Sequence, residues 1–461
     1  MKIKMKIKIL FLIISGIISN SFAWNIDSWR IKEKSVYLPT YSNTKNLLEV
    51  EDKLKSCAPI VTGNECLELK RKLAKVGSGK AFLLIGGDCA ESFDSSTNYH
   101  RDMYRLLLKM GLFLSYSNGL PTIKIARMGG QYAKPRSQPF ELLENGTKIE
   151  SYRGDIINDI SIENRDPDPY RMLIAYQKSV EIANLLRSFS FGGYASVHNI
   201  DHWNLDDILK NVNSSYETKI KDSIRFMKGL DLNTKNPIFT QTKIYLGHES
   251  LLLNYEESLT RYDSMLHQNY SCSGHFLWLG ERTRDLDSPH LEYLKGVENP
   301  IGIKISEKIK EDEFVTLFRK LNPDNENGKI TIITRYGKDK IKKNLPNMIK
   351  IVKKNNLSVV WCCDPMHGNI RFFKRKKLKT RIYRDILEET ISFFHIHQKY
   401  GTIPGGIHLE MTPDMVTECI DYESIREKNL DENYKTKCDP RLNAKQSISL
   451  ISSLSDFFIE N

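Results

Sequence analysis

Residues 82–89 read FLLIGGDC, in which four apolar residues and two glycines lead directly into an aspartate and a cysteine. The same pattern recurs along the chain: a short apolar run ends, and a reactive side chain follows it. Seven such runs occur, at Phe82–Ile85, Ile123–Ala126, Phe276–Leu279, Ile301–Ile303, Ile330–Ile333, Val359–Trp361 and Ile407–Leu409. Each run has the length of a buried parallel strand, and the charged stretches between them are long enough to form helices.

Apolar strands that end in reactive side chains predict an α/β fold of the (β/α)8 TIM-barrel type, because the active site of that fold lies at the carboxyl ends of its strands. We place the eighth strand at Tyr194–Val197, just before His198. A doubly wound open sheet would give similar runs and is the alternative. The predicted organisation is an N-terminal extension over residues 24–80 and a barrel over residues 81–461, with a helical insertion at about 205–270.

The composition is that of a globular protein. Of the 461 residues, 40% are apolar and 27% are charged, which excludes a wholly disordered, collagen-like or polytopic membrane protein. The 68 Lys and Arg exceed the 57 Asp and Glu by 11, a balance that permits phosphorylated metabolites, nucleic acid or anionic membranes as partners. Eight cysteines in this length are too sparse for a disulfide scaffold.

Residues 1–23 have the pattern of a leader segment. Four lysines alternate at the start, residues 9–18 are mostly apolar, and Ser21-Phe22-Ala23 resembles a small-residue cleavage site. The apolar run is too short for a stable membrane span. We therefore expect secretory or organellar (plastid) routing, with a mature chain that starts near Trp24. An uncleaved anchor, or an unstructured start on a cytoplasmic protein, is the alternative.

Four side chains near the ends of the predicted strands are suited to a divalent metal: Cys89, His367, Glu410 and Asp439. A thiolate, an imidazole and two carboxylates suit manganese, cobalt, iron or zinc better than magnesium or calcium. No local spacing motif links the four residues, and each alone could be an ordinary buried residue. A barrel would bring strand ends together, and this favours a shared metal site.

A second set of side chains near the predicted strand ends is cationic: Arg127, Lys134, Arg136, Arg282, Lys304 and Arg335. Burying an unpaired charge is prohibitive, so these cations must be paired or must face a polar pocket. Guanidinium groups together with lysines suit phosphate or carboxylate. Structural ion pairs with the nearby acids Glu281, Asp285 and Asp287 are the alternative. A metal beside such cations would suit a small phosphorylated substrate with a carbonyl to polarise.

The most strongly biased segment is residues 371–381, RFFKRKKLKTR, which contains seven cations in eleven residues. Charge of this density is compatible with nucleic-acid binding, and a solvated loop is the simpler interpretation. We favour the loop and expect no nucleic-acid partner.

Ten sequence blocks resemble the class II (plant-type) 3-deoxy-D-arabino-heptulosonate 7-phosphate (DAHP) synthases. The resemblance extends from about Trp24 to the C-terminus, and the blocks occur in the family's order. They are GGDCAESF (86–93), ARMGGQYAKPRS (126–137), SYRGD (151–155), GERTRDLDSPHLEY (280–293), NPIGIK (299–304), LNPDNENGKITIITRYG (321–337), CDPMHGN (363–369), GGIHLEMT (405–412), TEC (417–419) and CDPRLN (438–443).

The resemblance implies a metal-dependent condensation of phosphoenolpyruvate with D-erythrose 4-phosphate, the first step of the shikimate pathway. It implies a divalent metal bound by Cys89, His367, Glu410 and Asp439. Manganese is the expected metal, and cobalt, iron or zinc are the alternatives. It implies phosphoenolpyruvate binding by Arg127, Lys134, Glu281, Arg282, Lys304 and Arg335, with Glu249 and Trp278 as further pocket members. It implies erythrose 4-phosphate binding by Pro135, Arg136 and Ser137. The expected catalytic residues are Lys134, Glu281, Lys304 and His367, and the expected assembly is a homo-oligomer.

One segment departs from the family pattern. The family has a glycine-containing loop after the HGN triplet, whereas here Asn369 is followed by IRFFKRKKLKTR, which has no glycine and carries extra positive charge. The predicted ligands are unaffected, but the altered 370–378 segment puts the catalytic rate in question. A non-catalytic barrel that binds phosphorylated metabolites or a protein partner is therefore the alternative function.

Overall fold

The structure is a computed structural model that describes residues 24–33, 35–136, 138–143, 146–205, 208–209 and 214–460. The predicted leader and Ser137 lie outside the described residues. The strands are β1 (Phe82–Gly87), β2 (Thr122–Arg127), β3 (Phe140–Leu142), β4 (Lys148–Glu150), β5 (Ile244–Glu249), β6 (Thr260–Asp263), β7 (Gln268–Ser271), β8 (Phe276–Leu279), β9 (Ile301–Ile305), β10 (Ile330–Thr334), β11 (Val359–Cys363), β12 (Ile370–Phe373), β13 (Leu378–Ile382), β14 (Gly406–Glu410) and β15 (Cys419–Ile420).

The α-helices in the described residues are α1 (Thr44–Ser56), α2 (Gly63–Gly77), α3 (Thr97–Asn118), α4 (Arg171–Phe191), α5 (Ser214–Gly229), α6 (Pro237–Thr240), α7 (Leu253–Ser258), α8 (Pro289–Leu294), α9 (Glu311–Leu321), α10 (Lys338–Lys354), α11 (Tyr383–Tyr400) and α12 (Ala444–Glu460). None of them is long and apolar enough to cross a membrane.

Eight parallel strands close into a barrel in the order β1-β14-β11-β10-β9-β8-β5-β2. The predicted (β/α)8 barrel is confirmed. The open-sheet alternative is excluded because β1 and β2, which stand at the two ends of this order, also pair with each other. Each of the seven apolar runs identified in the sequence forms one of these strands. Apolar strands flanked by helices bury both faces of a parallel sheet, which is why the runs are continuous rather than alternating.

The predicted eighth strand at Tyr194–Val197 is wrong. Tyr194 stacks on Phe189 with ring centroids 4.8 Å apart, and the chain then enters a 3-10 helix at Val197–Trp203. The eighth strand is β5, which pairs with β2 and β8 and lies inside the 205–270 segment where a helical insertion was predicted. Only three large apolar residues open β5 before a glycine, a histidine and a glutamate, so its apolar signal is short.

The barrel interior is filled by apolar side chains and is closed at its amino-terminal end by α2. Leu69, Leu73 and Val76 of this helix belong to the same buried cluster as interior residues such as Leu83 and Phe276. The helix begins at a capping box in which Thr62 and Glu65 each accept from the other's backbone N–H. Since α2 blocks one end, the accessible end of the barrel is the carboxyl end of the strands.

Two hairpins add to that accessible end. Strands β3 and β4 pair antiparallel, as do β12 and β13, and β13 also pairs with β15. The prediction that residues 371–381 form a loop is therefore wrong for most of the segment, whereas the predicted exposure to solvent holds for all of it except Thr380 and Arg381. Only residues 374–377 connect β12 and β13. Strand β13 is the middle strand of a three-stranded sheet, in which it pairs with both β12 and β15.

Candidate active site and metal site

A cavity of about 540 Å³ opens at the carboxyl ends of the barrel strands. Twelve of the predicted site residues line it: Arg127, Lys134, Pro135, Arg136, Glu249, Trp278, Glu281, Arg282, Lys304, Arg335, His367 and Asp439. Eight further residues line the cavity and were not predicted from the sequence: Gln138, Phe140, Glu141, Ser151, Gly280, Ile370, Lys379 and Cys438. Seven lysines and arginines face four acids in this lining, so the cavity is suited to an anionic ligand.

Three of the four predicted metal ligands are brought together. One ligand atom each from His367, Glu410 and Asp439 lies within 4.8 Å of the others, and this is the one such group found in the described ranges. Glu410 is the last residue of β14, and His367 follows β11. An imidazole with two carboxylates is a donor set that suits a divalent transition metal, so the residues present fit such an ion.

The fourth predicted ligand, Cys89, is buried beside this group but does not belong to it. Its Sγ atom lies 3.2 Å from the hydroxyl of Thr436. Burial raises the pKa of the Cys89 thiol, and the negative charge of Asp88 raises it further. The protonated thiol is therefore favoured here, and ligation by Cys89 stays a prediction.

Glu410 is the centre of a buried network of charges. Its carboxylate lies 3.1 Å from Lys134 Nζ, 3.2 Å from Arg127 Nη2 and 2.6 Å from Arg381 Nη2. Burial by itself would raise the pKa of Glu410, but His367, Lys134 and Arg381 together hold it well below its usual value. The carboxylate is thus kept ionised, which is the form that a metal ligand requires.

The imidazole of His367 is oriented by a chain of buried charges. Lys304 Nζ lies 2.5 Å from Asp364 Oδ2, and the same oxygen lies 2.7 Å from His367 Nδ1. An Nδ1–H donated to a carboxylate leaves Nε2 as the atom able to ligate, and Nε2 lies 3.2 Å from Glu410. Burial lowers the pKa of Lys304 even though Asp364 opposes the shift.

The ring of Trp278 forms the floor between two of the cations. The guanidinium carbon of Arg127 lies 5.2 Å from the ring centroid, and Lys304 Nζ lies 5.8 Å from it. Arg127 is only 2% exposed and donates to the carbonyl of Asp88, while its Nη1 lies 2.6 Å from His408 Nε2. Burial lowers the pKa of His408, so its neutral ring accepts from the guanidinium.

The remaining cations lie towards the mouth of the cavity. Arg282 donates to the carbonyl of Pro135 at 3.0 Å, and Arg136 pairs with Glu141 at 3.2 Å. Within the described residues the guanidinium of Arg335 has no ion-pair partner. The sequence left two interpretations of these cations, an anion-binding pocket and structural ion pairs. Both apply, because the side chains line a cavity and several of them are also paired with acids. Among the described residues, Arg127 and Lys134 pair with Glu410, Lys134 also pairs with Asp439, Arg136 pairs with Glu141, and Lys304 pairs with Asp364. Of the acids predicted as partners, Glu281 pairs with Arg284.

Two acids in the cavity have unused acceptor atoms. Oε1 of Glu249 and Oε2 of Glu281 are buried and have no hydrogen-bond partner among the described residues. The other oxygen of Glu281 accepts from the hydroxyl of Ser306 at 2.6 Å and from Arg284 at 3.2 Å. A buried carboxylate oxygen without a partner is costly, so these atoms are suited to accept from a ligand or a water.

Comparison with known proteins places the chain in one family. Residues 24–455 match the model of the class-II DAHP synthetase family. A phospho-2-dehydro-3-deoxyheptonate aldolase of Streptomyces coelicolor is 40% identical over 428 residues, covering 91% of this chain and 94% of that protein. One of Neurospora crassa is 40% identical over 463 residues, covering 95% of each.

Among solved structures, a truncated 3-deoxy-D-arabino-heptulosonate 7-phosphate synthase from Thermotoga maritima matches with a TM-score of 0.33 and 12% identity. The match covers 82% of this chain and 87% of that one. The family model matches residues 24–455, and the two relatives align with 91% and 95% of this chain. This chain therefore belongs to the class-II DAHP synthetase family.

Proposed function

We propose that this protein condenses phosphoenolpyruvate with D-erythrose 4-phosphate to give DAHP and phosphate. The observation that carries the proposal is the cavity itself, which is lined by seven cations and by His367 and Asp439 of the metal-ligand group. Family membership supports the same reaction and does not favour the alternative of a non-catalytic relative. In this reaction a carbon–carbon bond forms between C3 of phosphoenolpyruvate and the aldehyde carbon of erythrose 4-phosphate. Water adds at C2 of phosphoenolpyruvate, and phosphate is released.

Phosphoenolpyruvate would lie over Trp278 with its phosphate and carboxylate held by the cations of the cavity. Arg127 and Lys304 flank the ring, and Arg335 has a guanidinium not engaged by an acid in the described part of the chain. Guanidinium groups bind phosphate and carboxylate through paired N–H donors, which fixes the orientation of the ligand. Lys134, Glu281 and Arg282 complete the proposed set.

Erythrose 4-phosphate would enter at the mouth, beside Pro135 and Arg136. Both residues line the cavity, and the carbonyl of Pro135 accepts from Arg282, which links the two proposed substrate sites. Ser137, the third proposed member, lies outside the described residues. Holding both substrates in one cavity removes part of the entropic barrier to a bimolecular step.

We propose manganese as the bound metal, with cobalt, iron or zinc as alternatives, held by His367, Glu410, Asp439 and Cys89. When bound, such an ion supplies Lewis-acid polarisation of the aldehyde oxygen. The charges of Lys134 and Arg127 beside Glu410 counter the negative charge of the ligand carboxylates.

Proton handling is proposed for Lys304 and Glu281, with His367 nearby. The ammonium of Lys304 releases a proton more readily than that of an ordinary lysine, because burial lowers its pKa. The unpartnered oxygen of Glu281 can orient the water that adds at C2. Lys134 would hold its proton instead, since Glu410 and Asp439 raise its pKa against the effect of burial.

The test is turnover of the purified chain with the two substrates. Loss of phosphoenolpyruvate and release of phosphate would be followed before and after chelation, and again after manganese, cobalt or zinc is restored. Turnover that disappears with the chelator and returns with metal is expected. A folded protein that binds phosphoenolpyruvate and shows no turnover with any metal would contradict the proposal and favour the non-catalytic relative.

We also propose that residues 1–23 route the chain to a secretory or organellar destination and that the protein is a homo-oligomer. The sequence pattern of the leader supports the first proposal. N-terminal sequencing of the protein recovered from its native source would test cleavage near Trp24. Light scattering after size-exclusion chromatography would test the assembly, and a mass of one chain would contradict it.

A further inference from the structure

A buried carboxylate on α11, Glu389, joins two loops of the cavity. Its Oε1 accepts from the backbone N–H of Gly337 at 2.8 Å, and its Oε2 accepts from the side-chain amide of Asn369 at 2.7 Å. Gly337 is two residues after Arg335, and Asn369 is two residues after His367. The same side chain is thus bonded to the segment that carries a proposed phosphoenolpyruvate ligand and to the segment that carries a metal ligand.

The two loops are in direct backbone contact. A Cβ atom added at Gly337 would lie 2.7 Å from the carbonyl oxygen of Gly368, and one added at Gly368 would lie 2.2 Å from the nitrogen of Gly337. Gly337 also has φ +82°, a conformation that favours glycine. The side chain of Asn369 adds a further link, since its Oδ1 accepts from the N–H of Lys338 at 3.1 Å.

Burying the carboxyl group of Glu389 costs folding free energy. It is 0% exposed, and in the described part of the chain it has no cationic partner. Burial raises its pKa to about 8, and Asp364 adds to the shift. An apolar side chain here would avoid the cost of burying a carboxyl group, but it would leave the N–H of Gly337 and the amide of Asn369 without this acceptor.

We propose that Glu389 is a positioning residue, which sets the distance between the anion-binding Arg335 and the metal-binding His367 by fixing Gly337 and Asn369 to one carboxyl group. This inference rests on the proposed function of the cavity. Outer partners that orient metal ligands typically contribute about 10- to 100-fold to metal affinity or activity. Because Glu389 is bonded to both loops, its loss should weaken both kinds of binding together.

The experiment measures binding as well as turnover in E389A and E389Q. Binding of Mn²⁺ and of phosphoenolpyruvate would be measured separately by calorimetry on the purified chain. We expect E389A to weaken each by about tenfold or more. E389Q keeps the shape and one acceptor oxygen, so it should lie between E389A and the unmodified chain.

A matched control is Glu51 on α1. It is 1% exposed and, like Glu389, it accepts from an asparagine amide, that of Asn254 at 2.7 Å. Unlike Glu389 it pairs with an arginine, Arg30, at 2.9 Å, and it does not line the cavity. E51Q should lower thermal stability without changing either binding constant. If E389A does not fold, E389Q carries the test alone.

Unchanged Mn²⁺ and phosphoenolpyruvate binding in a folded Glu389 variant would overturn the proposal, whatever its turnover. A change in only one of the two constants would also overturn it, since the role proposed is to couple the two loops. If the unmodified chain binds both ligands but makes no DAHP, the proposed reaction fails while the binding comparison still tests Glu389.

Discussion

Two regions of this molecule concentrate positive charge, and they differ in almost every other respect. The Glu410 cluster consists of Arg127, Lys134, His367, Arg381, Glu410 and Asp439, and the basic hairpin consists of residues 370–382, from which Arg381 reaches into the cluster. Side chains of Arg381 and Glu410 are both 0% exposed, whereas those of Arg371 and Lys379 are 52% and 46% exposed. Burial, rather than the number of charges, decides what each charge does to stability and binding.

In the cluster every cation is part of a network, so removing one member leaves its partners buried and uncompensated. In the hairpin, apart from Arg381, the cations lie at the surface, where screening weakens ion pairs such as those of Arg371 with Asp385 and of Lys376 with Asp431.

The largest effect is expected for E410Q. The substitution removes the charge that faces Lys134, Arg127 and Arg381, and breaking a buried pair costs about 3–5 kcal/mol. Thermal denaturation should show this loss, and Mn²⁺ binding should be lost with it. The control is E388Q, because Glu388 forms a 3.9 Å surface pair with Lys342 and its loss should cost less than about 0.5 kcal/mol. Equal effects of the two variants would contradict the comparison.

A smaller effect is expected for R381K. Arg381 donates to the carbonyl of Met366 at 2.8 Å and also to the carbonyl of Pro440, contacts that a lysine cannot reproduce together with the bond to Glu410. Buried acceptors left without donors cost about 1–3 kcal/mol, measured as the change in unfolding free energy in urea. R371K changes an exposed guanidinium of the same hairpin and should be near neutral. A loss in R371K as large as that in R381K would show that burial is not the cause.

Buried titratable groups outside both regions should make stability fall in acid. Burial lowers the pKa of His397 to about 3, below its usual value near 6.5. Between these values the unfolded chain binds the proton and the folded chain does not, so stability decreases as the pH falls below 6.5. H397Q should reduce the slope of unfolding free energy against pH by at most about 1.4 kcal/mol per pH unit.

The exposed His395 on the same helix provides the control for that measurement. H395Q should leave the acid limb of the stability curve as it is. If H397Q and the unmodified chain lose stability in parallel below pH 6.5, the buried imidazole is not responsible.

The smallest effect is expected at the tip of the basic hairpin. Lys374, Arg375 and Lys377 are exposed and have no ion-pair partner within the described ranges, whereas Lys376 pairs with Asp431. The triple variant K374Q/R375Q/K377Q should keep its stability within about 0.5 kcal/mol. The KM for phosphoenolpyruvate should change by less than about twofold at physiological salt, because none of the three residues lines the cavity and salt screens exposed charges.

The same triple variant tests the absence of a nucleic-acid partner. The unmodified chain should show no binding to duplex DNA that weakens with added salt. Salt-sensitive binding that the triple variant abolishes would instead assign a nucleic-acid function to the hairpin tip. Neither result would alter the Glu410 cluster.

Sequence alone identified seven of the eight strands and a parallel sheet, because buried parallel strands are continuous apolar runs that need no neighbour to be recognised. It predicted a barrel and left an open sheet as the alternative, and the pairing of β1 with both β2 and β14 decided between them. It also identified His367, Glu410 and Asp439 as a group and most of the cations of the cavity, since side chains at the carboxyl ends of strands converge in a barrel. Several blocks of the family resemblance, such as GGDCAESF (86–93) and GGIHLEMT (405–412), contain these strand ends.

Only the tertiary structure decided which strand is the eighth, because β5 has a short apolar signal that its neighbours β2 and β8 complete. It also decided that residues 371–381 form a hairpin and that Arg381 is buried beside Glu410 while Arg371 is not. The role of Glu389 became visible in the same way, through bonds to residues 20 and 52 positions away. Apolar periodicity is a local property that a sequence records, whereas the energy of a charge depends on its burial and its partners, which only the folded chain defines.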